Sequence, residues 1–210
     1  MASNNPNLEW EMLTRQPLAI SQTLKTKTVG VAGLGGLGSV VAENLARAGV
    51  GHLVLIDFDI IEPSNLNRQR YFVDQLGRPK VEALAENIER FAPFVRLTMH
   101  GIKVTAENSP TLFENCDVVA ECFDNPESKA ALITSIRKNL PETPIVAASG
   151  MAGLDDAMNI KIEKRMEHVY IVGDQISDAR DNLGLFASRV GVVASMQSHQ
   201  IIRLLAGVAE

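Results

Sequence analysis

The sequence predicts an α/β fold that is doubly wound around a mainly parallel sheet, with an antiparallel extension near the C-terminus. Short apolar runs rich in β-branched residues alternate with segments of helical spacing, as in parallel sheets that helices cover on both faces. The alternation stops in the last third of the chain, where two runs follow each other without a helix. The 210 residues, of which 46% are hydrophobic and 21% charged, suffice for one domain with a sizeable core.

The N-terminal segment, residues 1–24, is predicted to be helical and distinct from the domain formed by residues 25–210. The segment is predicted to form one or two short helices, because its helical pattern is interrupted by Pro17 and proline disrupts a helix interior. The apolar positions with helical spacing are Leu8, Met12, Leu13, Ala19, Ile20 and Leu24. No stretch rich in proline, glycine or serine marks a linker, so we expect a single domain after residue 24.

Five strands and four helices are predicted in the alternating part of the chain. The strands are Thr28–Ala32, His52–Ile56, Val95–His100, Asp117–Ala120 and Pro144–Ala148. The helices are Ser39–Ala48, Pro79–Phe91, Pro110–Asn115 and Glu127–Asn139. Beyond them, Met158–Ile162 and His168–Val172 predict an antiparallel pair, and Ser188–Leu205 predicts a last helix.

Charge and composition argue against several classes of protein. The 20 Lys and Arg against 25 Asp and Glu give a net charge of −5, so no positive field favours nucleic acid. Two cysteines cannot form a disulfide framework or a four-thiolate zinc site. The polar N-terminus does not resemble a signal peptide, and no run reaches the roughly 18 apolar residues of a membrane span. We therefore expect a cytoplasmic protein with no membrane or nucleic-acid partner.

The glycines after the first strand predict a nucleotide site. Gly33, Gly35 and Gly38 fit the pattern G-x-G-x-x-G, and Gly36 lies within it. Such glycines allow a tight turn and the close approach of phosphates to the N-terminus of the next helix. Asp57 ends the second strand 19 positions after Gly38, where an acidic residue binds ribose hydroxyls. This context is typical of a Rossmann-like fold that binds an adenine nucleotide, but it does not distinguish NAD from ATP.

A cationic turn favours a triphosphate. Between residues 65 and 80 the cations are Arg68, Arg70, Arg78 and Lys80, and the only acid is Asp74. A triphosphate carries more charge than a dinucleotide, and fixed Arg and Lys groups beside the glycine loop would neutralise it. The alternative interpretation of such a cluster, taken alone, is a solvated charged turn.

Four ordered motifs distinguish these interpretations: GLGGLG, DFDIIEPSNLNRQRYF, GRPKVEAL and ECFDN. In this order they resemble the ThiF/MoeB/HesA adenylyltransferase family, whose members are relatives of the ubiquitin-activating enzymes. The resemblance extends from about Lys25 to Leu205 and is closest to the compact ThiF-like branch, including the segment VGDQISDARDNLGLFASRVG.

The resemblance implies roles for individual residues. Asp57 would hold the ribose, and Asp124 in ECFDN would bind Mg²⁺, which in nucleotide sites takes one or two carboxylates beside phosphate oxygens. The residues expected to line the triphosphate are Asn65, Arg68, Gln69 and Lys80, with Arg68 and Lys80 on the phosphates.

Two further residues have two interpretations each. Asp59 either belongs to the nucleotide site or caps the turn after the second strand. Arg15 is the candidate for the arginine that, in relatives, reaches the triphosphate in the partner subunit, and its alternative is an ordinary surface arginine.

The implied reaction joins ATP to a small ubiquitin-like sulfur carrier protein that ends in Gly-Gly. The C-terminal carboxylate of the carrier attacks the α-phosphate and yields an acyl-adenylate and pyrophosphate. A carboxylate is ionised at pH 7, so no general base is required. A thiamin-pathway carrier is the first expectation, and a molybdopterin or other sulfur carrier stays open.

The resemblance also implies a homodimer, with sulfur delivered by another protein. The two C-x-x-C pairs of larger relatives are missing, so we expect no zinc and no metal besides Mg²⁺. Cys116 and Cys122 are expected to be buried hydrophobic residues rather than covalent carriers. Residues 173–184 either guide the tail of the carrier or form an ordinary loop.

Three other functions stay open at this point. An NAD-dependent oxidoreductase on the same fold would need a proton-transfer residue, and none is evident in the sequence. A non-catalytic nucleotide-binding module would not need Arg68, Lys80 and Asp124, all of which are present. A related branch adenylates another carboxylate or a modified tRNA base, and the negative net charge argues mildly against tRNA.

Overall fold

A computed structural model describes residues 7–177 and 183–208. In these residues one seven-stranded sheet has the order β3-β2-β1-β4-β5-β7-β6. The strands are β1 (Thr28–Ala32), β2 (His52–Ile56), β3 (Arg96–His100), β4 (Val118–Glu121), β5 (Ile145–Ala148), β6 (Lys161–Met166) and β7 (Val169–Gly173). All neighbours pair in parallel except β6 and β7, which are antiparallel. The predicted fold class, including its antiparallel extension, is therefore confirmed.

Helices cover both faces of the sheet. They are α1 (Leu8–Met12), α2 (Leu18–Lys25), α3 (Gly38–Arg47), α4 (Lys80–Glu89), α5 (Ser109–Phe113), α6 (Pro126–Asn139) and α7 (Ala187–Leu205). Buried residues of α2, α3, α4 and α7 form one core cluster, and those of α5 and α6 form the other. Within the described ranges, no helix combines the length and the apolar character needed to cross a membrane.

The strands contribute to both clusters because successive side chains point to opposite faces. In β4, Val118 and Ala120 belong to the first cluster, whereas Val119 belongs to the second. This explains why the strand sequences are nearly continuous apolar runs rather than alternating patterns.

The strand order reverses between β1 and β4, and such a switch point opens a crevice at the carboxyl ends of the strands. Ala32 at the end of β1 lies beside Ile56 of β2 and Glu121 of β4. The loops that follow these three strands therefore begin at the same level of the same edge.

One predicted strand, Met158–Ile162, differs from the structure by more than one residue at its ends. Residues Ala157–Asn159 form a short 3₁₀ turn, in which Asp156 accepts a hydrogen bond from Met158 N at 2.9 Å, and β6 begins only at Lys161. Met158 is 83% exposed and does not belong to the core. The strand β6 lies at the edge of the sheet, where charged side chains are tolerated, so its sequence lacks the apolar run of a central strand.

Candidate functional site

A cavity of about 470 Å³ opens at the carboxyl edge of the sheet. Loops that follow β1, β2, β3, β4 and β5 line it, together with residues from the turn before α4 and from the start of α6 and α7. The predicted site residues that line it are Gly33, Gly35, Gly36, Asp57, Asp59, Arg68, Gln69, Lys80 and Asp124. The structure thus brings together most of the residues that the sequence analysis selected.

The glycine loop lies against the backbone of Cys122, the residue that follows β4. Gly33 has a φ of +89°, and a Cβ there would lie 3.1 Å from the carbonyl oxygen of Cys122. A Cβ at Gly38 would lie 1.8 Å from the carbonyl oxygen of Gly33. Gly38 does not line the cavity; it lets α3 begin in contact with the end of β1, which directs the helix N-terminus at the cavity.

Asp57 is held by the backbone on both carboxylate oxygens. Leu34 N donates to Oδ2 at 2.6 Å, and Asp59 N donates to Oδ1 at 2.8 Å. Burial raises the pKa of Asp57, while these hydrogen bonds and the charge of Lys80 partly oppose the increase. Each carboxylate oxygen has a second lone pair, so Asp57 retains the capacity to accept hydroxyl groups of a ligand.

Lys80 and Asp59 form an ion pair inside the cavity wall. Lys80 Nζ lies 2.8 Å from Asp59 Oδ2, and the Lys80 side chain is 7% exposed whereas that of Asp59 is 48% exposed. A bridge between Ile60 and Pro79 brings these residues together, although 21 positions separate them in the chain. The ammonium group is therefore fixed beside the cavity, and Asp59 contacts both Asp57 and Lys80.

The turn before α4 presents an arginine and a glutamine to the cavity. Arg68 donates to Ser64 O at 3.1 Å and to Asn67 Oδ1 at 2.8 Å, both at exposed positions. Gln69 is 8% exposed, and its Oε1 has no hydrogen-bond partner among the residues that the structure describes. A buried polar atom without a partner is costly, so a donor from a bound ligand would stabilise this arrangement.

Asn65 supports this turn from below and does not line the cavity. Its Oδ1 accepts from Glu62 N at 3.1 Å, and its carbonyl oxygen accepts from Arg68 N and Gln69 N. The structure therefore places Asn65 behind the residues that face the cavity rather than beside a ligand.

Asp124 lies in the loop between β4 and α6, and a buried ion pair holds this loop. Glu121, which is fully buried, pairs with Lys129 and accepts from Phe123 N at 2.7 Å. Burial raises the pKa of Glu121, and the charge of Lys129 opposes the increase. The sequence analysis did not select Glu121 or Lys129. A usable signal existed for Lys129, because the first turn of a helix that follows β4 must lie at the crevice.

The sequence analysis also did not predict the apolar part of the cavity. Phe58, Ile102, Val104 and Phe123 line it. Aromatic and aliphatic side chains of this kind can pack against the faces of a heterocyclic base. The cation Lys103 lies in the same region.

The cavity has two contrasting walls. We call Asp57, Asp59, Arg68 and Lys80 the charged wall, and Ala148, Ser149, Gly150, Ala152 and Ser177 the small-residue wall. The small-residue wall follows β5 and β7, on the other side of the strand-order switch point. A polyanion would bind the first wall, and a narrow neutral chain would fit against the second.

Three further predictions concern residues outside these walls. Arg15 is exposed on the turn between α1 and α2 and does not line the cavity of its own chain. Cys116 and Cys122 are buried, and burial raises the pKa of both thiols, that of Cys116 to about 12. The loop of residues 173–184 lies partly outside the described residues, at 178–182.

Metal binding by the protein alone has no support in the described residues, where no group of three His, Cys, Asp or Glu side chains could hold an ion. Asp124 supplies a single carboxylate at the cavity. Since Mg²⁺ in nucleotide sites takes one or two carboxylates together with phosphate oxygens and water, this donor set fits Mg²⁺ bound with a nucleotide.

Comparison with known proteins identifies relatives over most of the chain. The model of the ThiF family matches residues 11–210. The adenylyltransferase and sulfurtransferase UBA4 of Yarrowia lipolytica (strain CLIB 122 / E 150) is 30% identical over 190 residues, 88% of this chain and 47% of that protein. Ubiquitin-like modifier-activating enzyme 5 of Caenorhabditis elegans is 37% identical over 122 residues, 53% of this chain and 29% of that protein. The chain thus spans about half or less of the length of these curated relatives.

A solved structure matches the whole architecture. The E. coli tRNA N6-threonylcarbamoyladenosine dehydratase TcdA, in complex with ATP, superposes with a TM-score of 0.79 over 93% of each chain, at 25% identity. The agreement over nearly the full length supports the sheet order and the helix positions described above.

Proposed function

The chain belongs to the ThiF family, and from this premise we propose that it is an adenylyltransferase that activates the C-terminal carboxylate of a small ubiquitin-like protein. The observation that carries the proposal is the cavity itself. One cavity joins a glycine loop at a helix N-terminus, the buried carboxylate of Asp57, the cations Arg68 and Lys80, and the carboxylate of Asp124. ATP bound to the TcdA structure supports a nucleotide as the ligand.

The reaction forms one bond and breaks one at the α-phosphorus of ATP. A carboxylate oxygen of the carrier attacks the α-phosphorus, the bond to the β-phosphate oxygen breaks, and pyrophosphate leaves with the electron pair. The carboxylate is ionised at neutral pH, so the protein need not remove a proton. Catalysis then consists of positioning the two substrates and of stabilising the charge that develops on phosphate oxygens.

The charged wall performs the electrostatic part of this task. Asp57 accepts hydrogen bonds from ribose hydroxyls, since its position after β2 is the ribose site of this architecture. Lys80 is fixed by Asp59 at 2.8 Å, so its ammonium needs little reorganisation when the triphosphate binds. Arg68 offers a planar set of donors suited to phosphate oxygens. Asp124 would hold Mg²⁺, which when bound neutralises part of the phosphate charge.

The carrier is proposed to be a sulfur carrier that ends in Gly-Gly. The name of the relative ubiquitin-like modifier-activating enzyme 5 supports a ubiquitin-like partner, and that of the adenylyltransferase and sulfurtransferase UBA4 supports sulfur transfer. We propose a thiamin-pathway carrier first, a sulfur donor as a separate protein, and a homodimer in which Arg15 reaches the triphosphate of the other subunit.

Intact-mass spectrometry tests this proposal directly. The protein is incubated with ATP, Mg²⁺ and each of several ubiquitin-like carriers that end in Gly-Gly, including thiamin, molybdopterin and cysteine-synthesis carriers. A carrier that gains one AMP supports the proposal and identifies the pathway, and the adduct should be lost with Asp124→Ala. Binding of ATP without an adduct on any carrier contradicts it.

A parallel reaction tests tRNA as a second acceptor, because the matched TcdA structure is that of a tRNA N6-threonylcarbamoyladenosine dehydratase. Incubation with tRNA in place of the carrier, followed by nucleoside analysis, distinguishes the two acceptors. The net charge of −5 favours the protein acceptor. Binding of NAD but not ATP in the same buffer would instead support an oxidoreductase.

A further inference from the structure

A buried ion pair lies directly behind the small-residue wall. Arg189, in the first turn of α7, donates from Nη2 to Asp174 Oδ2 at 2.6 Å, and Asp174 follows β7 directly. The side chains are only 4% and 7% exposed. Arg189 also donates to the carbonyl oxygen of Asp155, in the segment between β5 and β6. The pair therefore ties together three parts of the chain that meet beside the cavity.

The carboxylate of Asp174 organises the turn that carries Ser177. Its Oδ1 accepts from Ile176 N at 2.9 Å and from Ser177 N at 2.8 Å, and its Oδ2 accepts from Ser177 Oγ at 2.8 Å. Ser177 Oγ in turn accepts from Ala152 N at 3.1 Å. A continuous series of hydrogen bonds thus leads from Arg189 through Asp174 to the small-residue wall.

The same carboxylate is packed against the backbone of Gly150. Gly150 has a φ of +82°, and a Cβ there would lie 2.0 Å from Asp174 Oδ1. Asp174 N donates to Gly150 O at 3.1 Å, and Gln175 N donates to Ser149 O at 3.0 Å. Asp174 and its neighbour Gln175 thus fix the backbone of Ser149 and Gly150, although Asp174 itself does not line the cavity.

Neither Asp174 nor Arg189 lines the cavity, so the pair acts only through the residues that it holds. The small-residue wall presents backbone groups, two hydroxyls and methyl groups, and the side chain of Met151 lines the cavity between Gly150 and Ala152. None of these side chains is charged, so the surface suits a narrow extended peptide that is contacted through its backbone. Its fit depends on the backbone position, because a displacement of about 1 Å can lower a rate by about 10²-fold.

We propose that the Asp174–Arg189 ion pair is a positioning element for the acceptor: it holds residues 149–152 where the narrow terminal segment of the carrier lies during adenylylation. The proposal rests on the proposed function for the identity of the acceptor. It assigns to the pair an effect on the acceptor half of the reaction and none on nucleotide binding.

Steady-state kinetics with matched variants tests this division. Asp174→Asn removes the charge and keeps the shape, and the double variant Asp174→Asn/Arg189→Gln removes both charges, so no uncompensated charge opposes folding. The acceptor is the carrier that gains AMP in the mass assay. We expect kcat/KM for the carrier to fall by about 10²-fold, mainly through KM, with the Kd of ATP unchanged in calorimetry. Arg189→Lys should retain more activity toward the carrier than the Asp174 variants do, because it keeps the ion pair.

The control is Glu86→Gln, which breaks the exposed Glu86–Arg78 pair at α4, outside the cavity. It should leave the KM for the carrier unchanged. A parallel loss of ATP affinity in the Asp174 variants would indicate a general structural role and overturn the proposal.

Hydrogen–deuterium exchange keeps the test independent of the acceptor. Amides of residues 150–152 and 175–177 should exchange faster in the double variant, while those of residues 34–38 should not change. Unchanged exchange at 150–152 overturns the positioning role even if no carrier is adenylylated. An inactive wild-type protein with ATP bound would instead contradict the proposed function.

Discussion

The charged wall and the small-residue wall lie at the same edge of one sheet, yet they use charge in opposite ways. Arg68 and Lys80 present cationic groups at the cavity. Asp174 and Arg189 pair with each other outside it, and the wall in front of them carries no charge. We therefore propose that one half of the cavity uses its charges for a ligand, whereas the other uses them to fix its own backbone.

The physical reason lies in what each half is proposed to bind. A triphosphate is recognised by fixed opposite charges, which act strongly where water is excluded. A neutral peptide tail offers only backbone groups, so recognition depends on where the wall lies, and a buried ion pair fixes that position. Loss of one partner from such a pair is strongly destabilising, because the other charge stays buried.

The largest effect is therefore expected at Asp174. Asp174→Asn should lower the free energy of unfolding by about 3–5 kcal/mol at pH 7, since Arg189 would remain buried without its counter-charge. Urea titration checks this value, and the control Glu86→Gln should cost less than about 1 kcal/mol because the ion pair of Glu86 with Arg78 is exposed.

The same variant has a pH dependence with a defined sign. Burial alone would raise the pKa of Asp174, but hydrogen bonds from Ile176, Ser177 and Arg189 lower it to about 2. The stabilisation by its carboxylate is fully present above the unfolded pKa of about 3.9 and is lost as the pH falls through about 2. The stability difference between wild type and Asp174→Asn should therefore shrink as the pH falls from about 5 to about 2. A difference that stays constant over this range would contradict the assignment.

Substitutions on the charged wall should lower the activity rather than the stability of the protein. Arg68→Ala should lower the rate of adenylylation by about 10²–10³-fold, as for loss of one group that stabilises transition-state charge. Arg70→Ala is the matched control, because Arg70 lies two positions away, pairs with Glu43 at 3.7 Å and does not line the cavity. Pyrophosphate release measures both rates. Equal losses in the two variants would indicate that the net charge of the turn matters, not the wall.

A glycine on the small-residue wall sharpens the comparison further. Gly150→Ala should lower stability by about 1–3 kcal/mol, because its positive φ and the contact with Asp174 both oppose a Cβ. Gly191→Ala in α7 should raise stability by about 1 kcal/mol, since nothing lies within 4 Å of its added Cβ and alanine favours helix. Thermal unfolding distinguishes the two. A neutral Gly150→Ala would show that this wall tolerates displacement.

The smallest effect is expected at the cysteines, and Cys122 lies at the cavity near the boundary between the walls. Burial and then the charge of Asp117 raise the pKa of Cys116 to about 12, and burial raises that of Cys122. Thiols in this state are protonated at pH 8, so iodoacetamide should not modify the native protein and should modify both cysteines in urea. Mass spectrometry counts the adducts. Rapid alkylation of Cys122 in the native protein would support the alternative that this cysteine forms a covalent intermediate with the carrier.

Local sequence patterns predicted the central strands well and the edge strand poorly. The strands β1 and β2 have the predicted bounds, because each is a buried apolar run of five residues that ends at a turn or an acid. The edge strand β6 combines four charged residues with Ile162 and Met166 and has no buried position, so its pattern is weak and the apolar Met158 suggested an earlier start.

The charged wall was accessible to sequence analysis because its residues lie in ordered motifs. The pairing within it was not, since Lys80 meets Asp59 only through the bridge between Ile60 and Pro79. The burial of Gln69 Oε1 without a hydrogen-bond partner was not predictable from the sequence either, because it depends on how the turn before α4 packs.

By itself the sequence determined the fold class, the resemblance to a family and the charged wall, because burial patterns, glycine turns and motif order are local properties of the chain. Only the tertiary structure decided that Asp174 and Arg189 pair, that Gly150 must lie against that carboxylate, and that Glu121 and Lys129 hold the Asp124 loop. These contacts are decided by which segments the sheet order and the packing of the helices bring side by side. A one-dimensional pattern records the burial and the charge of a residue, but not the partner that neutralises it.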